Sequence, residues 1–111
     1  LVLKVFGEKK RTVVGSAAFS KKEMTQLIGF EQALEKIAQF DVMMFAFSET
    51  EAREIRIVTS EGIVLLAHID DDATRIAHIV DELLQQKIGK RRDSLRYIDL
   101  RFGNKIFYKF R

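Results

Sequence analysis

Alternating and continuous runs of apolar residues predict six β-strands in this chain. Period-two alternation and enrichment in β-branched and aromatic residues are typical of strands, and polar turns bound most of these runs. Residues 7–10 predict a turn after the first strand, and residues 12–19 could add a short extended segment. The predicted strands are Leu1–Phe6, Asp41–Ser48, Arg53–Thr59, Ile63–Ile69, Leu95–Phe102 and Lys105–Arg111.

Two other stretches follow the spacing of an amphipathic helix. The first begins with a capping-box pattern at Ser20–Glu23, in which the serine and the glutamate satisfy free backbone amides, and runs to about Gln39. Gly29 interrupts it, which leaves either one bent helix or two short ones. The second follows the acidic N-terminal cap Asp70–Asp72 and stops at Gly89. Its apolar stripe consists of Ala73, Ile76, Ala77, Val80, Leu83 and Leu84.

The order strand, helix, three strands, helix, two strands predicts an α+β fold. Hairpin connections favour a mainly antiparallel sheet, and the two amphipathic helices can cover one of its faces. The chain has 111 residues, a usual size for one domain, and it contains no visible linker or repeat. We therefore expect a single domain over residues 1–111 that ends in a C-terminal β-hairpin.

The register of that hairpin decides which side chains share a face. A plain two-residue turn over Gly103 and Asn104 would put the apolar sets of the two strands on opposite sides of the ribbon. We therefore predict a bulged or three-residue connection, which puts them on one side and leaves Phe107 and the pair Asp99 and Arg101 on the exposed outer face. With a three-residue loop the pairs are Phe102 with Ile106, Leu100 with Tyr108, Ile98 with Phe110, Asp99 with Lys109 and Tyr97 with Arg111.

Charge is unevenly distributed along the chain. The net charge is +3, but from Lys87 onward nine Lys or Arg residues face two Asp, which makes that part +7. A basic end favours an acidic partner, which could be a protein, a nucleic acid or an anionic membrane surface, although a solvated basic face is the simpler reading. The chain has no cysteine, so disulfides and thiolate metal sites are excluded. It opens on a strand-like run without an initiator methionine, and we interpret it as a piece of a longer protein.

The sequence offers little support for catalysis or metal binding. His68 and His78 are the only histidines, and the acidic Asp70–Asp72 between them is better explained as a helix cap than as a metal site, because no central glycine or third convergent ligand accompanies it. No glycine-rich phosphate loop or nucleophile elbow is present. We therefore predict no enzyme activity, no metal, no cofactor and no small-molecule substrate.

Single-stranded nucleic acid remains an alternative ligand. Aromatic residues interleaved with cations on a terminal strand are typical of a stacking platform in a basic groove. Because the predicted register uses Tyr108 and Phe110 in the core, only Phe107 and Tyr97 point outward, and we regard a nucleic-acid partner as the less favoured reading.

The segment Tyr97–Phe102, reading YIDLRF before a turn and a last strand, resembles the end of the extracytoplasmic β domain of the FtsQ/DivIB cell-division proteins. The likeness extends to Ser60–Leu65, which resembles the turn and glycine that lead into a strand of that family. It also extends to the helix over Asp71–Leu84, with Arg75-Ile76 where the family usually has Arg-Leu. Two features differ, since Ala67–Ile69 replaces the frequent Leu-Gly-Arg and no proline occurs near the start.

The resemblance implies a non-enzymatic scaffold of the bacterial divisome that recruits partners of the FtsB/DivIC and FtsL types. It implies a single-pass membrane parent whose transmembrane helix and POTRA domain precede this extracytoplasmic domain, and a partner that adds a strand beside the last strand. Residues that match partner-site positions of the family are Phe102, Asn104 and Phe110. Patterning adds Phe107, Lys109 and Arg111, and Arg53, just before the strand that contains Ile55, is a further candidate.

Overall fold

The computed structural model describes residues 2–6, 20–48, 51 and 53–111, with only the backbone for 2–6 and Ser48. The predicted turn over 7–10 and the extended segment over 12–19 lie outside the described residues. The elements are β1 Val2–Phe6, α1 Lys21–Ala38, β2 Val42–Ser48, β3 Glu54–Thr59, β4 Val64–His68, α2 Ala73–Leu83, β5 Leu95–Phe102 and β6 Lys105–Phe110.

The six strands form one sheet in the order β1-β2-β3-β4-β5-β6, and the element order is the predicted one. Antiparallel pairing joins β2 to β3, β3 to β4 and β5 to β6, while β1 with β2 and β4 with β5 are parallel. The pair β4 and β5 is parallel because α2 carries the chain back to the end of the sheet at which β4 begins. The predicted α+β class with a mainly antiparallel sheet is therefore confirmed.

Helix α1 begins at the predicted capping box. The Ser20 Oγ accepts from the Glu23 amide at 3.1 Å, and Glu23 Oε1 accepts from the Ser20 amide at 3.0 Å. The helix continues unbroken through Gly29 and ends where Gln39 adopts a left-handed backbone with φ 57°. Of the two arrangements left open by Gly29, the structure therefore has the single helix.

Helix α2 is capped by Asp72, whose Oδ1 accepts from the Thr74 and Arg75 amides at 3.0 and 3.2 Å. The helix widens into a π-helical turn, Leu84–Ile88, and ends at Gly89, whose positive φ of 52° suits glycine. A 3₁₀ turn over Gly89–Ser94 then leads into β5. Both ends of the predicted second helix are thus confirmed.

One hydrophobic core fills the space between the helices and one face of the sheet. Both helices contribute buried side chains on a single stripe, as expected for amphipathic helices packed on a sheet. The core side chains with no exposed surface include Leu27, Phe30 and Leu34 of α1, Val80 of α2, and Phe45, Ile57, Leu65 and Ile98 of the sheet. Strand β6 contributes no fully buried residue.

The terminal hairpin has a bulged connection, with register shifts on β5 and a two-residue turn over Gly103 and Asn104. Phe102 pairs with Lys105, after which one extra residue in β5 shifts the ladder. Of the two connections predicted, bulged or three-residue, the structure has the bulged one, and the pairs predicted for a three-residue loop are wrong because the additional residue lies within β5. The observed pairs beyond the bulge are Asp99 with Phe107, Ile98 with Tyr108 and Tyr97 with Lys109.

Two side-chain assignments change with the bulge. Phe102, predicted on the inner face with Ile98, instead packs its ring against Phe107, with ring centroids 5.6 Å apart. Asp99, predicted to pair with Lys109 on an exposed face, is only 6% exposed and is held by Arg101. The inner and outer sets of β6 keep the predicted arrangement, since Tyr108 lies opposite Ile98.

Candidate protein-interaction edge

Strand β6 is the last strand of the sheet, and it has β5 on one side and no strand on the other within the part of the chain that the structure describes. Every residue from Lys105 to Lys109 is exposed, and Phe107 keeps 50% of its surface in contact with solvent. An edge strand presents backbone donors and acceptors that a further strand can pair with. This edge is the candidate site.

Three residues of β6 turn their backbone groups to the open edge. The Arg111 amide donates to Ser94 O at 2.7 Å, so the amides of odd-numbered residues point towards β5. Because successive residues of an antiparallel strand point their backbone groups to alternate sides, those of Ile106, Tyr108 and Phe110 point the other way. Both register shifts fall on β5, so the alternation along β6 is uninterrupted.

The outer face of the edge combines aromatic surface with unpaired cations. The rings of Phe102 and Phe107 meet edge to face at 87°, and the Arg101 guanidinium lies 5.3 Å from the Phe102 ring centroid. Lys105 and Lys109 stand on this same face on either side of Phe107, and neither forms an ion pair with any residue that the structure describes. This face can therefore accept an apolar or aromatic side chain between two acidic ones.

The inner face of the edge borders an open groove beside α2. The groove has a volume of about 430 Å³ and a mostly apolar lining that comes from α2, the π-helical turn after it and the hairpin. Asn104 lies at its rim, so this predicted site residue is accessible. The lining includes Ile79, Leu83 and Gln86 from the helical side and Leu100, Asn104 and Ile106 from the hairpin.

Phe110 lies at the junction between the edge and the core. Its side chain is half-buried and packs against the core, and its ring meets that of Tyr108 edge to face with centroids 5.8 Å apart. The Arg91 guanidinium lies 3.7 Å from the Phe110 ring centroid, within the range of a cation–π contact. Phe110 thus anchors the strand, and it offers mainly its backbone to a partner.

Two predicted site residues are engaged within the chain itself. Arg111 Nη2 donates to Glu61 O at 3.2 Å and ties the end of β6 to the turn between β3 and β4. Arg53 binds Asp70 through Nε and Nη2 at 2.8 and 2.6 Å and Glu23 through Nη1 at 3.1 Å. These contacts place Arg53 at the starts of both helices rather than with β6.

The Arg53 guanidinium also affects the acidity of its partners. Its hydrogen bonds hold the pKa of Asp70 below the usual value. The pKa of Glu23 is lowered chiefly by the Ser20 amide of the capping box, with Arg53 adding a smaller effect. The Asp70 side chain is 56% exposed and that of Glu23 is 26% exposed, so the cluster lies at the surface, where ion pairs contribute little to stability.

An ion-pair network behind the edge was not apparent from the sequence. Arg101 donates to Asp99 through Nε and Nη2 at 2.9 and 2.7 Å and to both oxygens of Glu54 at 3.2 Å, which joins β5 to β3 across β4. The Arg101 side chain holds the pKa of Asp99 below its usual value. Within the described residues, Asp99 forms its ion pair with Arg101 and none with Lys105 or Lys109.

The sequence pattern placed Ile106 and Tyr108 on the core-facing side of the hairpin and so missed their accessibility, and it did not select the exposed Lys105 as a site residue. No local pattern signals the exposure of Ile106 and Tyr108, because it depends on how far the helical layer extends over the sheet. Within the described residues, no group of three or more His, Asp or Glu could hold a metal ion. Among the helices that the structure describes, none combines the length and the hydropathy of a membrane-spanning segment.

No protein-family model matches the chain, and no curated protein sequence matches it.

Proposed function

We propose that this domain is a non-enzymatic interaction module that binds an extended segment of a partner protein by strand addition to β6. The observation that carries the proposal is the open edge, where Ile106, Tyr108 and Phe110 present backbone groups in the described structure without a strand to pair them. In strand addition, main-chain hydrogen bonds supply affinity and alternate side chains supply specificity. Both components are available at this edge.

Backbone hydrogen bonds, an exposed aromatic ring and basic charge at this edge can each contribute to the binding of a partner strand. Each hydrogen bond exchanged with water contributes roughly 0.5–1.5 kcal/mol net, so three paired residues supply a moderate affinity. An exposed aromatic residue such as Phe107 can act as an anchor and contribute about 1–3 kcal/mol more. The basic charge of the hairpin attracts an acidic segment and raises its association rate.

The finer proposal is that the domain is the extracytoplasmic β domain of an FtsQ/DivIB-like protein in the bacterial divisome. The resemblance of Tyr97–Phe102 supports it, since this segment corresponds to β5 and the strand that follows it is the open edge. The partners would then be proteins of the FtsB/DivIC and FtsL types. The parent protein would be a single-pass protein of the cell membrane, with this domain on the extracytoplasmic side.

Single-stranded nucleic acid is the second candidate, and the exposed pair Phe102 and Phe107 beside Lys105 and Lys109 is the observation in its favour. Bases stack on exposed aromatic rings that line a basic groove. The two phenylalanine rings pack on each other at 87°, however, which leaves a smaller open face than a stacking platform normally offers. Strand addition would use the unpaired backbone groups of β6 as well as its exposed side chains, and we therefore favour it.

A titration of the ¹⁵N-labelled domain separates these functions. We would add, in separate samples, an FtsB/DivIC-like peptide, an FtsL-like peptide and a mixed-sequence single-stranded oligonucleotide. Strand addition predicts that a peptide slows hydrogen exchange at the amides of Ile106, Tyr108 and Phe110. Changes confined to the helices would contradict it, and ring shifts of Phe102 and Phe107 with the oligonucleotide alone would favour nucleic acid.

A further inference from the structure

The two lysines of the edge are spaced for a particular partner sequence. Lys105 and Lys109 lie four residues apart on the outer face of β6, and both are exposed. In paired strands, directly opposite side chains share a face and stand roughly 4.5–5.5 Å apart. A strand added to β6 therefore meets one lysine at one position and the other lysine four residues away.

The acidic residues of the hairpin do not balance the positive charge of Lys105 and Lys109. Residues 95–111 contain five Lys or Arg and one carboxylate, Asp99. That carboxylate receives three hydrogen bonds from Arg101, two from the guanidinium and one from the backbone amide at 3.1 Å. An approaching strand thus meets uncompensated positive charge at both lysine positions.

The side chains between the lysines fix the middle of the partner segment. Phe107 lies midway on the outer face, so the residue opposite it is favoured when it is aromatic or β-branched. Ile106 and Tyr108 project to the inner face, where Ile106 lines the groove beside α2. The residues opposite these two are favoured when they are apolar.

A second copy of the chain is a poor occupant of this edge. Antiparallel pairing of β6 with itself about Phe107 places Lys105 opposite Lys109 twice. Like charges directly opposite each other are destabilising, and lysines on edge strands discourage self-pairing. The charge pattern thus favours a different, acidic chain.

We infer that the partner segment is a β-strand of another protein with acidic residues four apart, opposite Lys105 and Lys109, and three apolar residues between them. The inference rests on strand addition at β6, proposed above, and adds the sequence class that the edge selects. A segment with acidic residues two apart can place only one of them opposite a lysine in any register.

Two blocked synthetic peptides of equal composition test the spacing on the whole domain. One has the core Glu-Val-Phe-Val-Glu, and the other has the core Val-Glu-Phe-Glu-Val, both with the same Ser and Thr flanks. We expect the first to bind about 3- to 10-fold more tightly, with the preference shrinking at high salt. The double variant Lys105→Ala/Lys109→Ala should reduce the ratio of the two dissociation constants and abolish its salt dependence, because only the contacts with Ile106 and Tyr108 then favour the first peptide. The matched variant Lys21→Ala/Lys36→Ala, which removes two exposed cations from α1, should preserve it.

The outcomes separate the inference from the function on which it rests. Preferential binding of the first peptide with slower exchange at Ile106 and Tyr108 supports both. Equal binding of the two peptides with that same protection leaves strand addition standing and overturns the spacing. If neither peptide slows exchange at Ile106 and Tyr108, strand addition and the spacing are both overturned. If exchange at these residues slows as the protein concentration rises without peptide, the assignment to another chain is overturned.

Discussion

Strands β5 and β6 are neighbours of similar composition, yet they have opposite relations to the rest of the molecule. β5 buries Leu95 and Ile98 completely, and its Arg101 pairs with Asp99 and with Glu54. β6 exposes Phe107 and Tyr108 and leaves Lys105 and Lys109 without ion pairs among the described residues. The difference comes from position in the sheet, because β5 has a strand on each side and lies beneath the helical layer. Composition alone does not distinguish a structural strand from a binding edge.

The largest effect that separates the strands should come from truncating the same residue type in each. Ile98 is 0% exposed and Ile106 is 36% exposed. Ile98→Ala removes core packing and should lower the free energy of unfolding by about 2–5 kcal/mol. Ile106→Ala should lower it by less than about 1 kcal/mol. Urea unfolding of the two variants measures the contrast, and equal losses would show that β6 is as integral to the fold as β5.

A second contrast lies within β6, between its anchor and its exposed aromatic. Phe110→Ala removes a half-buried ring and its contact with Arg91, and it should lower the free energy of unfolding by about 1–3 kcal/mol. The loss is smaller than for a fully buried phenylalanine because part of the ring is already in contact with solvent. Phe107→Ala should change stability by about 0.5 kcal/mol or less but weaken partner binding by about 1–3 kcal/mol. Thermal unfolding together with peptide titration of both variants tests this. A stability loss confined to Phe107→Ala would reverse the two roles.

The third contrast concerns charge. Asp99→Asn weakens the bonds from Arg101 at a nearly buried position, and we expect a loss of about 1–2 kcal/mol of stability. Lys109→Ala removes an exposed cation with no ion pair in the described structure and should cost no more than about 0.5 kcal/mol. Chemical denaturation at neutral pH compares the two variants. If Asp99→Asn were as mild as Lys109→Ala, the network would be no stronger than an exposed ion pair.

The same strands show what sequence patterns can and cannot determine. The hairpin was predictable because Gly103 and Asn104 interrupt two strongly strand-forming runs. The conflict of faces that a plain two-residue turn would create was also visible, but a longer loop and a bulge resolve it equally well, and only the three-dimensional packing selects the bulge. Burial of Asp99 follows from that bulge and from Arg101 reaching Glu54, 47 residues away in sequence, a contact that periodicity cannot reveal.

Some features of the candidate site were likewise predictable from local sequence pattern, and others were not. Exposure of Phe107 and Lys109 followed from alternation along one strand, which is a local property. Engagement of Arg53 with Asp70, and of Arg111 with Glu61, depends on segments far apart in the chain and was not predictable from local pattern. The exposure of Ile106 and Tyr108 depends on how far the helical layer extends over the sheet, which the stripe on α2 does not specify.

The smallest expected effect is a difference in pH dependence between the two strands. Arg101 lowers the pKa of Asp99 in the folded state, so this carboxylate contributes stability above its ordinary pKa of about 3.9, and the contribution is lost as the pH falls through the folded-state value. The stability gap between the native domain and Asp99→Asn should therefore be full near pH 6 and shrink steadily below about pH 4. Residues 105–110 of β6 contain no carboxylate, so the corresponding gap for Lys109→Ala should stay flat over that range.

Urea unfolding of the three proteins at a series of pH values measures both gaps. Other carboxylates, including Glu23 and Asp70, titrate in all three and cancel in the comparison. A gap for Asp99→Asn that did not change with pH would show that Arg101 does not favour the charged form of this residue, and the distinction between a paired β5 and an unpaired β6 would then rest on burial alone.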